Sequence, residues 1–315
     1  MPSRLQSFSE VRYTNECQGY PCIASVSQND VVIGDWSGNL FRVTLSPFAV
    51  QKKVFVASKV GGNMVVCNTL CSLAPSPEDS LLCAVATRGN HAAVWNSGKD
   101  NVAHVIPHDG SVNSVAWLGN TEYLLLGTGQ YTLTSGVRPQ AMIEVWKLNT
   151  GNSSLVDRIA LPGCSVDAIA FRQEDNSIVA FSGMNSQNQG FISVLNANTL
   201  LPQAVFDLPF AIAERLECYE ELIFISHRGK VQAVSRKDGE EIWDHDIAGD
   251  VADFAYDPDD HQLLLSNGKL ISARNGRVVE TWPVLTDCCC LRPRPAGGFV
   301  GVSKAGIIGV WNVNS

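Results

Sequence analysis

The sequence has few charged residues, no excess of basic residues and no long apolar run. Charged residues make up 17% of its 315 residues, and 31 acidic against 23 basic residues give a formal net charge of −8. Binding to nucleic acid derives most of its affinity from clustered Lys and Arg, which an acidic chain does not favour. The longest apolar stretches, such as Leu81–Ala86, are far shorter than the roughly 18 residues of a membrane-spanning helix. We therefore expect no direct nucleic-acid partner and no membrane span.

The chain also lacks sequence signatures of secretion and of catalysis. Its first 14 residues contain no hydrophobic segment typical of a secretory signal, so we expect a cytoplasmic protein, with the nucleus as the alternative. It contains no Gly-rich phosphate-binding loop and no GxSxG nucleophile elbow. These absences predict a protein that is not an enzyme, needs no cofactor and has no small-molecule substrate.

The ten cysteines lack the spacing of a zinc site. Zinc ribbons need two CxxC-like pairs, or one pair followed by closely spaced histidines, whereas Cys288–Cys290 are consecutive and the other cysteines are scattered. We interpret them as reduced, small buried apolar residues, with a vicinal disulfide within Cys288–Cys290 as the alternative. His91 and His227 fall in equivalent turns, where we expect solvated side chains; the alternative is a pair of imidazoles that converge on a metal.

What the sequence does contain is an internal repeat. Residues 111–129 and 165–183 both predict a strand that ends with a large residue, a polar turn and a second apolar strand. Five further segments fit this template: 21–38, 68–89, 211–229, 249–268 and 286–306. A third strand follows each copy, and these strands are predicted to end at Val43, Trp95, Trp146, Leu195, Val234, Ala273 and Trp311. Most copies continue into an Asn/Gly-rich turn and a short fourth strand. Four short antiparallel strands in roughly 45 residues are typical of a β-propeller blade.

The two ends of the chain predict how the ring closes. The seventh repeat stops after its third strand, and residues 6–13 alternate like a strand that has no other partner. A ring in which the N-terminal strand completes the last blade accounts for both observations and leaves no exposed sheet edge. We therefore predict an all-β fold, a seven-bladed β-propeller with four antiparallel strands per blade, and a single domain over residues 1–315.

The repeat resembles that of WD40 propellers over essentially the whole chain. Three of the third strands end in Trp, although Asn or Lys follows it where the family often has Asp. The family's Gly-His pair is replaced by Pro-His at His108, and its turn aspartate occurs once. The resemblance implies structural roles for Asp35, Trp95, His108, Trp146 and Trp311. It further implies that His108 and Trp146 share, with Thr128, part of the hydrogen-bonded network that ties together a WD40 blade.

The first strand of each repeat is expected to carry the core between blades. In the template VxxVAW (112–117) side chains alternate, so the fourth and sixth positions face the same neighbouring blade. Alignment of the repeats places Cys71 and Cys289 at the fourth position. It places Cys290 in the slot of Ala116, near the axis of the ring, where we expect only small side chains.

Two long connections and one tryptophan mark the predicted binding surface. The turns between second and third strands lie on one face of a WD40-like propeller, named here the top face. These turns are short in most repeats but cover residues 129–141 in the third and 183–190 in the fourth. Long loops are more often functional than short ones, and tolerated insertions are the alternative. The candidate partner-binding residues of the top face are Trp36, Tyr131, Arg138, Asn185 and Gln187.

A closed ring of sheets leaves rigid faces covered by variable loops, which suit the recognition of proteins. We therefore favour a non-enzymatic scaffold or adaptor, a subunit of a larger multiprotein complex that binds partners through its top face. Its net acidity favours basic partner segments, through steering rather than affinity. Two alternatives remain: a propeller enzyme with a metal or quinone-like cofactor in the axial funnel, and a sensor or assembly module within a larger machine.

Overall fold

The computed structural model of the chain contains thirty β-strands, and no helix occurs among the residues it describes. The residues that it leaves undescribed are 1–3, 18, 55, 61–62, 67–69, 80–81, 88–90, 100, 109, 120–121, 130–139, 150–151, 185–187, 248–251, 296 and 314–315. Only the backbone is described for residues 52–54, 56–60, 63–66, 70–71 and 184. Within the described part of the chain, no helix is both long and apolar enough to cross a membrane.

The strands form seven four-stranded antiparallel sheets, the blades, and one separate hairpin. The chain begins with β1 (Leu5–Arg12), and blade one follows with β2 (Cys22–Ser25), β3 (Asp30–Gly34), β4 (Asn39–Leu45) and β5 (Phe48–Val54). The separate hairpin is β6 (Val56–Val60) and β7 (Asn63–Val66). Blade two consists of β8 (Leu70–Pro75), β9 (Leu82–Thr87), β10 (His91–Asn96) and β11 (Asn101–Pro107). Blade three consists of β12 (Val112–Trp117), β13 (Tyr123–Thr128), β14 (Ala141–Asn149) and β15 (Asn152–Leu161).

The remaining four blades have the same strand order. Blade four consists of β16 (Ser165–Arg172), β17 (Ser177–Met184), β18 (Gln189–Asn196) and β19 (Pro202–Leu208). Blade five consists of β20 (Arg215–Tyr219), β21 (Leu222–His227), β22 (Lys230–Ser235) and β23 (Glu241–Asp246). Blade six consists of β24 (Phe254–Asp257), β25 (Gln262–Leu265), β26 (Lys269–Ser272) and β27 (Val278–Thr281). Blade seven takes β28 (Cys288–Pro293), β29 (Phe299–Ser303) and β30 (Ile307–Val313) from the C-terminal part of the chain.

The N-terminal strand closes the ring, which confirms the predicted fold. Blade seven has the strand order β1-β30-β29-β28, and β1 pairs antiparallel with β30. The rings of Phe8 and Trp311 pack with their centroids 4.9 Å apart across this pairing. Arg294 then joins blade seven to blade one, since it donates to Asn312 Oδ1 at 2.7 Å and to the Gln28 carbonyl at 3.2 Å. The first and last segments of the chain are therefore held in one sheet.

The hydrophobic core lies between neighbouring blades rather than within one sheet. One cluster, for example, packs Ala84 and Val94 of blade two against Val115 and Trp117 of blade three, and all four are buried. The Trp117 indole also donates to the Ala74 carbonyl at 3.0 Å, which satisfies its only polar atom. Burial of these side chains provides the main favourable free energy of folding, at roughly 25 cal/mol per Å² of apolar area.

In four blades the first strand contains a register shift that the alignment of the seven repeats did not include. One residue of the strand is left without a partner in the second strand: Cys71, Asn113, Asp167 and Cys289. The third residue after the unpaired one is Ala116 in blade three and Arg292 in blade seven, so these two residues occupy equivalent positions. The first residue after it is Ser114 in blade three and Cys290 in blade seven. The predicted alignment of the cysteine-containing strands was therefore wrong by two residues. The expectation that only small side chains lie near the axis was wrong as well.

Candidate functional site

Trp36 lies in a tight turn of blade one on the top face, between β3 and β4. The buried carboxylate of Asp35 builds this turn, because it accepts the backbone N–H groups of Ser37 and Asn39, each at 2.9 Å. Its second oxygen accepts the Asn39 side-chain amide at 2.9 Å. The Trp36 side chain is 38% exposed. The turn thus has a fixed backbone that presents a large, partly exposed aromatic ring.

The loop before β2 holds one side of the Trp36 indole. Gly19 has φ of +70°, and a Cβ atom there would lie 2.4 Å from Trp36 Cδ2, so the ring packs directly on glycine backbone. The Tyr20 ring lies 5.1 Å from the indole, centroid to centroid, and the Lys304 ammonium stands 4.0 Å from the centroid of Tyr20. An indole held in this way loses little conformational freedom on binding, which is favourable for a contact anchor.

The other four candidate contact residues, Tyr131, Arg138, Asn185 and Gln187, lie outside the described residues. The bases of the two connections that carry them are described, and both contact residues 163–165. Gly129 forms a β-bridge with Ser165, and the Ala141 amide donates to the Gly163 carbonyl at 3.2 Å. The Cys164 amide donates to the Gly183 carbonyl at 2.9 Å. The ends of the two connections therefore lie next to each other on the top face.

The connection in blade four is shorter than predicted. Strands β17 and β18 pair as far as Gly183 with Gly190 and Met184 with Gln189. Half of the expected loop 183–190 therefore belongs to the paired strands, and residues 185–188 join them. In blade three the connection does run from Thr128, the end of β13, to Ala141, the start of β14.

Glu144 joins the residues that the WD40 resemblance singled out in blade three. The Trp146 indole donates to Glu144 Oε2 at 2.9 Å, and His108 Nε2 lies 3.4 Å from Oε1. Thr128 is not part of this network, because its hydroxyl donates instead to the Met142 carbonyl at 3.3 Å. A carboxylate from the third strand thus connects the histidine and the tryptophan. The sequence does contain a signal for this contact: Glu144 lies two residues before Trp146, and residues at this spacing in a strand point to the same face.

The charge state of Glu144 follows from its neighbours. Burial alone would raise the pKa of this carboxyl, but hydrogen bonds from His108 and Trp146 and the charges of His108 and Arg158 outweigh burial and lower it. Arg158 Nε lies 2.9 Å from Glu144 Oε1. The network therefore depends on the ionised form of Glu144 and weakens in acid.

The other tryptophans and the two singled-out histidines pack against protein. Trp95 and Trp311 are buried, and the Trp311 indole donates to the Pro283 carbonyl at 2.9 Å. The prediction that both histidines are solvated was wrong for His91, and His227 is half-buried. His91 is buried at the start of β10, and His227 stacks face to face on Phe210 with 3.7 Å between the ring centroids.

The cysteine triplet is buried at the junction of blades seven, one and six. Cys288, Cys289 and Cys290 are free thiols, and burial raises the pKa of each. Raised pKa values keep the thiols protonated, which makes them poor nucleophiles. Among the described residues, no group of three or more His, Cys, Asp or Glu side chains is placed to hold a metal ion.

A central channel with a volume of about 1390 Å³ is lined by the first strands of the blades. At one level of its wall, blades one to four each place an alanine: Ala24, Ala74, Ala116 and Ala170. At the same level, blade five places Glu217 and blade seven places Arg292. The wall is therefore small and apolar on one side and charged on the other.

Asp253, just before β24, ties blades five, six and seven together on the charged side. It is 4% exposed, and its Oδ2 accepts the Leu291 amide at 2.7 Å and lies 3.3 Å from Arg292 Nη1. Arg215 Nη1 of blade five lies 3.8 Å from the same oxygen. Arg215 also donates to Glu217 and to the Leu291 carbonyl. We name Arg215, Glu217, Asp253 and Arg292 the channel ion cluster.

Glu214, the residue before β20, lines the channel where it opens on the top face, and it is exposed. Its Oε2 accepts the Ala252 amide at 3.2 Å. Desolvation by the surrounding channel wall and the nearby Asp253 carboxylate raise the pKa of Glu214 to about 7, against an opposing effect of Lys304.

Seven four-stranded blades in a ring, the last completed by the N-terminal strand, define a seven-bladed WD40-like β-propeller. The search of solved structures agrees with this class. The chain superimposes on the β-propeller domain of Cps50 (Swd1) from Myceliophteria thermophila with a TM-score of 0.70, covering 98% of this chain and 100% of that one. The two sequences are 12% identical, so the likeness concerns the fold alone. No protein-family model and no curated protein matches the chain.

Proposed function

We propose that the chain is a non-enzymatic protein-interaction scaffold that acts as a subunit of a larger complex and binds a protein partner through its top face. The observation that carries this proposal is the partly exposed Trp36, packed on Gly19 and Tyr20 at a fixed position. Tryptophan is among the residues most enriched at the energetic centres of protein interfaces. The proposal includes one domain over residues 1–315 and a cytoplasmic or nuclear location.

The connections of blades three and four support the same face as the binding surface. Their bases meet at residues 163–165, so residues carried by both connections start close to one another. Tyr131 and Arg138 remain candidate contacts on the longer of the two. No observation on the described residues favours the alternative of a propeller enzyme. Elemental analysis and an absorbance scan of the purified protein test it, because a stoichiometric metal or a chromophore would contradict the scaffold.

Affinity purification from the native source tests the proposal. We expect Trp36→Ala, and separately the double variant Tyr131→Ala with Arg138→Ala, to reduce the yield of specific partners; the double variant should keep the melting temperature, and Trp36→Ala, which also removes packing on Gly19 and Tyr20, should keep the β-sheet circular-dichroism spectrum. Phe48→Ala is the matched control, since Phe48 is a similarly exposed aromatic residue, at 40%, on the outer strand of blade one. Equal capture by the wild type and by all three variants would show that partners bind elsewhere.

A further inference from the structure

Arg294 differs from the other partly buried arginines, because no carboxylate of the described residues lies within ion-pair distance of it. Each of the others has an Asp or Glu partner: Arg4, Arg42, Arg172, Arg215, Arg236 and Arg292. The other described arginines that lack such a partner are exposed to solvent, namely Arg12, Arg228 and Arg277. A cation that loses part of its hydration is normally compensated by a nearby anion. Within the described part of the chain, Arg294 has no such compensation.

The Arg294 guanidinium also keeps spare hydrogen-bond donors. Nη1 donates to Asn312 Oδ1 at 2.7 Å and Nη2 to the Gln28 carbonyl at 3.2 Å, which leaves one further N–H on each of these nitrogens. Nε is buried and has no hydrogen-bond partner among the described residues. Desolvation lowers the pKa of Arg294, and no neighbouring carboxylate opposes this effect. A planar guanidinium with spare donors is suited to a carboxylate, to which it donates two parallel hydrogen bonds.

Arg294 lines a cleft of about 130 Å³ between blades seven and one. Asn29, Ser46 and Arg294 form the polar end of this cleft, and they lie in turns between first and second or third and fourth strands. This end is therefore on the bottom face, opposite to the top face. The apolar part of the wall consists of Val11, Leu45, Ile308 and Val310. Arg294 is the only charged residue of the described lining. A cleft of this size admits one side chain, since pockets for drug-sized ligands have roughly 300–1,000 Å³.

We propose that this cleft binds the side chain of a glutamate from a partner protein segment. The carboxylate accepts hydrogen bonds from Arg294, and the two methylene groups of the glutamate pack on the apolar wall. The segment supplies the negative charge that Arg294 lacks, so the cleft and the segment are complementary in charge. Because the cleft lies on the face opposite to Trp36, the inference does not rest on the proposed top-face function and adds a second contact surface. The contact falls at the seam where Arg294 joins blade seven to blade one.

The full-length protein, labelled with ¹⁵N in its arginine side chains, provides the test, because the Nε–H signal of Arg294 reports directly on the guanidinium. The probes are two tripeptides, acetyl-Gly-Glu-Gly-amide and its glutamine analogue, which has nearly the same shape but no charge. We expect the glutamate peptide to shift the Arg294 signal and to bind roughly tenfold more tightly than the glutamine peptide. Because the contact joins two charges, its affinity should fall as the salt concentration rises.

Two variants separate a binding role of Arg294 from its structural role. Arg294→Gln should bind the glutamate peptide roughly tenfold more weakly. Arg277→Gln is the matched control, because it makes the same change in net charge at an exposed position of blade six. Since Arg294→Gln also removes the link to Asn312, the second variant is Ser9→Phe, which keeps Arg294 but fills the cleft. It should lose binding and keep the β-sheet circular-dichroism spectrum. Phe48→Ala, at the exposed rim of the cleft, should change binding by less than about twofold.

The outcomes separate this inference from the proposed function. Equal binding of the two peptides, or an Arg294 signal that does not move, would overturn the glutamate site. Equal binding of the glutamate peptide to the wild type and to Ser9→Phe would overturn it as well, because the carboxylate would then bind outside the cleft. Trp36→Ala should bind the glutamate peptide like the wild type, so a failure of the top-face function leaves this result unchanged.

Discussion

Replacing Asp253 with asparagine tests whether the channel ion cluster holds three blades together. The substitution keeps an acceptor for the Leu291 amide but leaves Arg215 and Arg292 without their shared carboxylate. Removal of one partner from a buried ion pair costs about 3–5 kcal/mol, and the retained hydrogen bond favours the lower end. About 3 kcal/mol corresponds to a fall in melting temperature of roughly 6 °C, at about 2 °C per kcal/mol for a chain of this size. Thermal unfolding followed by circular dichroism measures it.

The matched control is Asp259→Asn, which makes the same change in net charge at an exposed position of blade six. We expect it to alter stability by less than about 0.5 kcal/mol. A double-mutant cycle with Arg215→Gln should give a coupling of about 0.5–3 kcal/mol, since the two side chains belong to one network. If Asp253→Asn unfolds within 1 °C or so of Asp259→Asn, or if the cycle is additive, the cluster does not join the blades.

Three further substitutions or deletions test other parts of the molecule. Glu144→Gln should cost about 1–3 kcal/mol at pH 7. Because the pKa of Glu144 is lowered on folding, the wild type loses this stability as the pH falls below the ordinary value of 4.5, so urea unfolding at pH 4 should separate the two proteins less than at pH 7. Gly19→Ala should displace the Trp36 ring, change its fluorescence and reduce partner capture as much as Trp36→Ala does; normal capture would disprove the role of this packing. Deletion of residues 1–12 should leave the outer edge of β30 unpaired and cause aggregation in size-exclusion chromatography, whereas a monomer of unchanged stability would contradict closure by β1.

The number of blades and the closure of the ring could be predicted from the sequence because both depend on local patterns. Alternating side chains and Gly-containing turns locate strands without knowledge of distant residues. The predicted end of the third strand falls within or next to the observed strand in every repeat; in blade six, for instance, β26 ends at Ser272 and the prediction was Ala273. The hairpin of β6 and β7 was missed, although the 52-residue spacing between Val43 and Trp95 left room for it.

The channel could not be predicted in the same way, because its register depends on residues that leave no local trace. An unpaired residue such as Cys289 shifts the following strand relative to the repeat template, and a strand of similar apolar residues fits either alignment. The contacts of the ion cluster are also distant in sequence: Arg215 and the Leu291 carbonyl are separated by 76 residues. Contacts of this kind form only when the closed ring brings the first strands of different blades together.

Once the register is known, a comparison of the repeats shows where the channel wall carries a charged residue in place of alanine. Blades one to four show that packing near the axis is satisfied by alanine, so Glu217 and Arg292 are not required by the fold at that level. A charged side chain moved from water into a channel wall loses hydration free energy unless a partner replaces the water. Glu217 and Arg292 find partners within the chain, in Arg215 and Asp253. The two charged residues that replace the alanine of the repeat are therefore compensated within the chain, and their partners belong to the same network that joins blades five, six and seven.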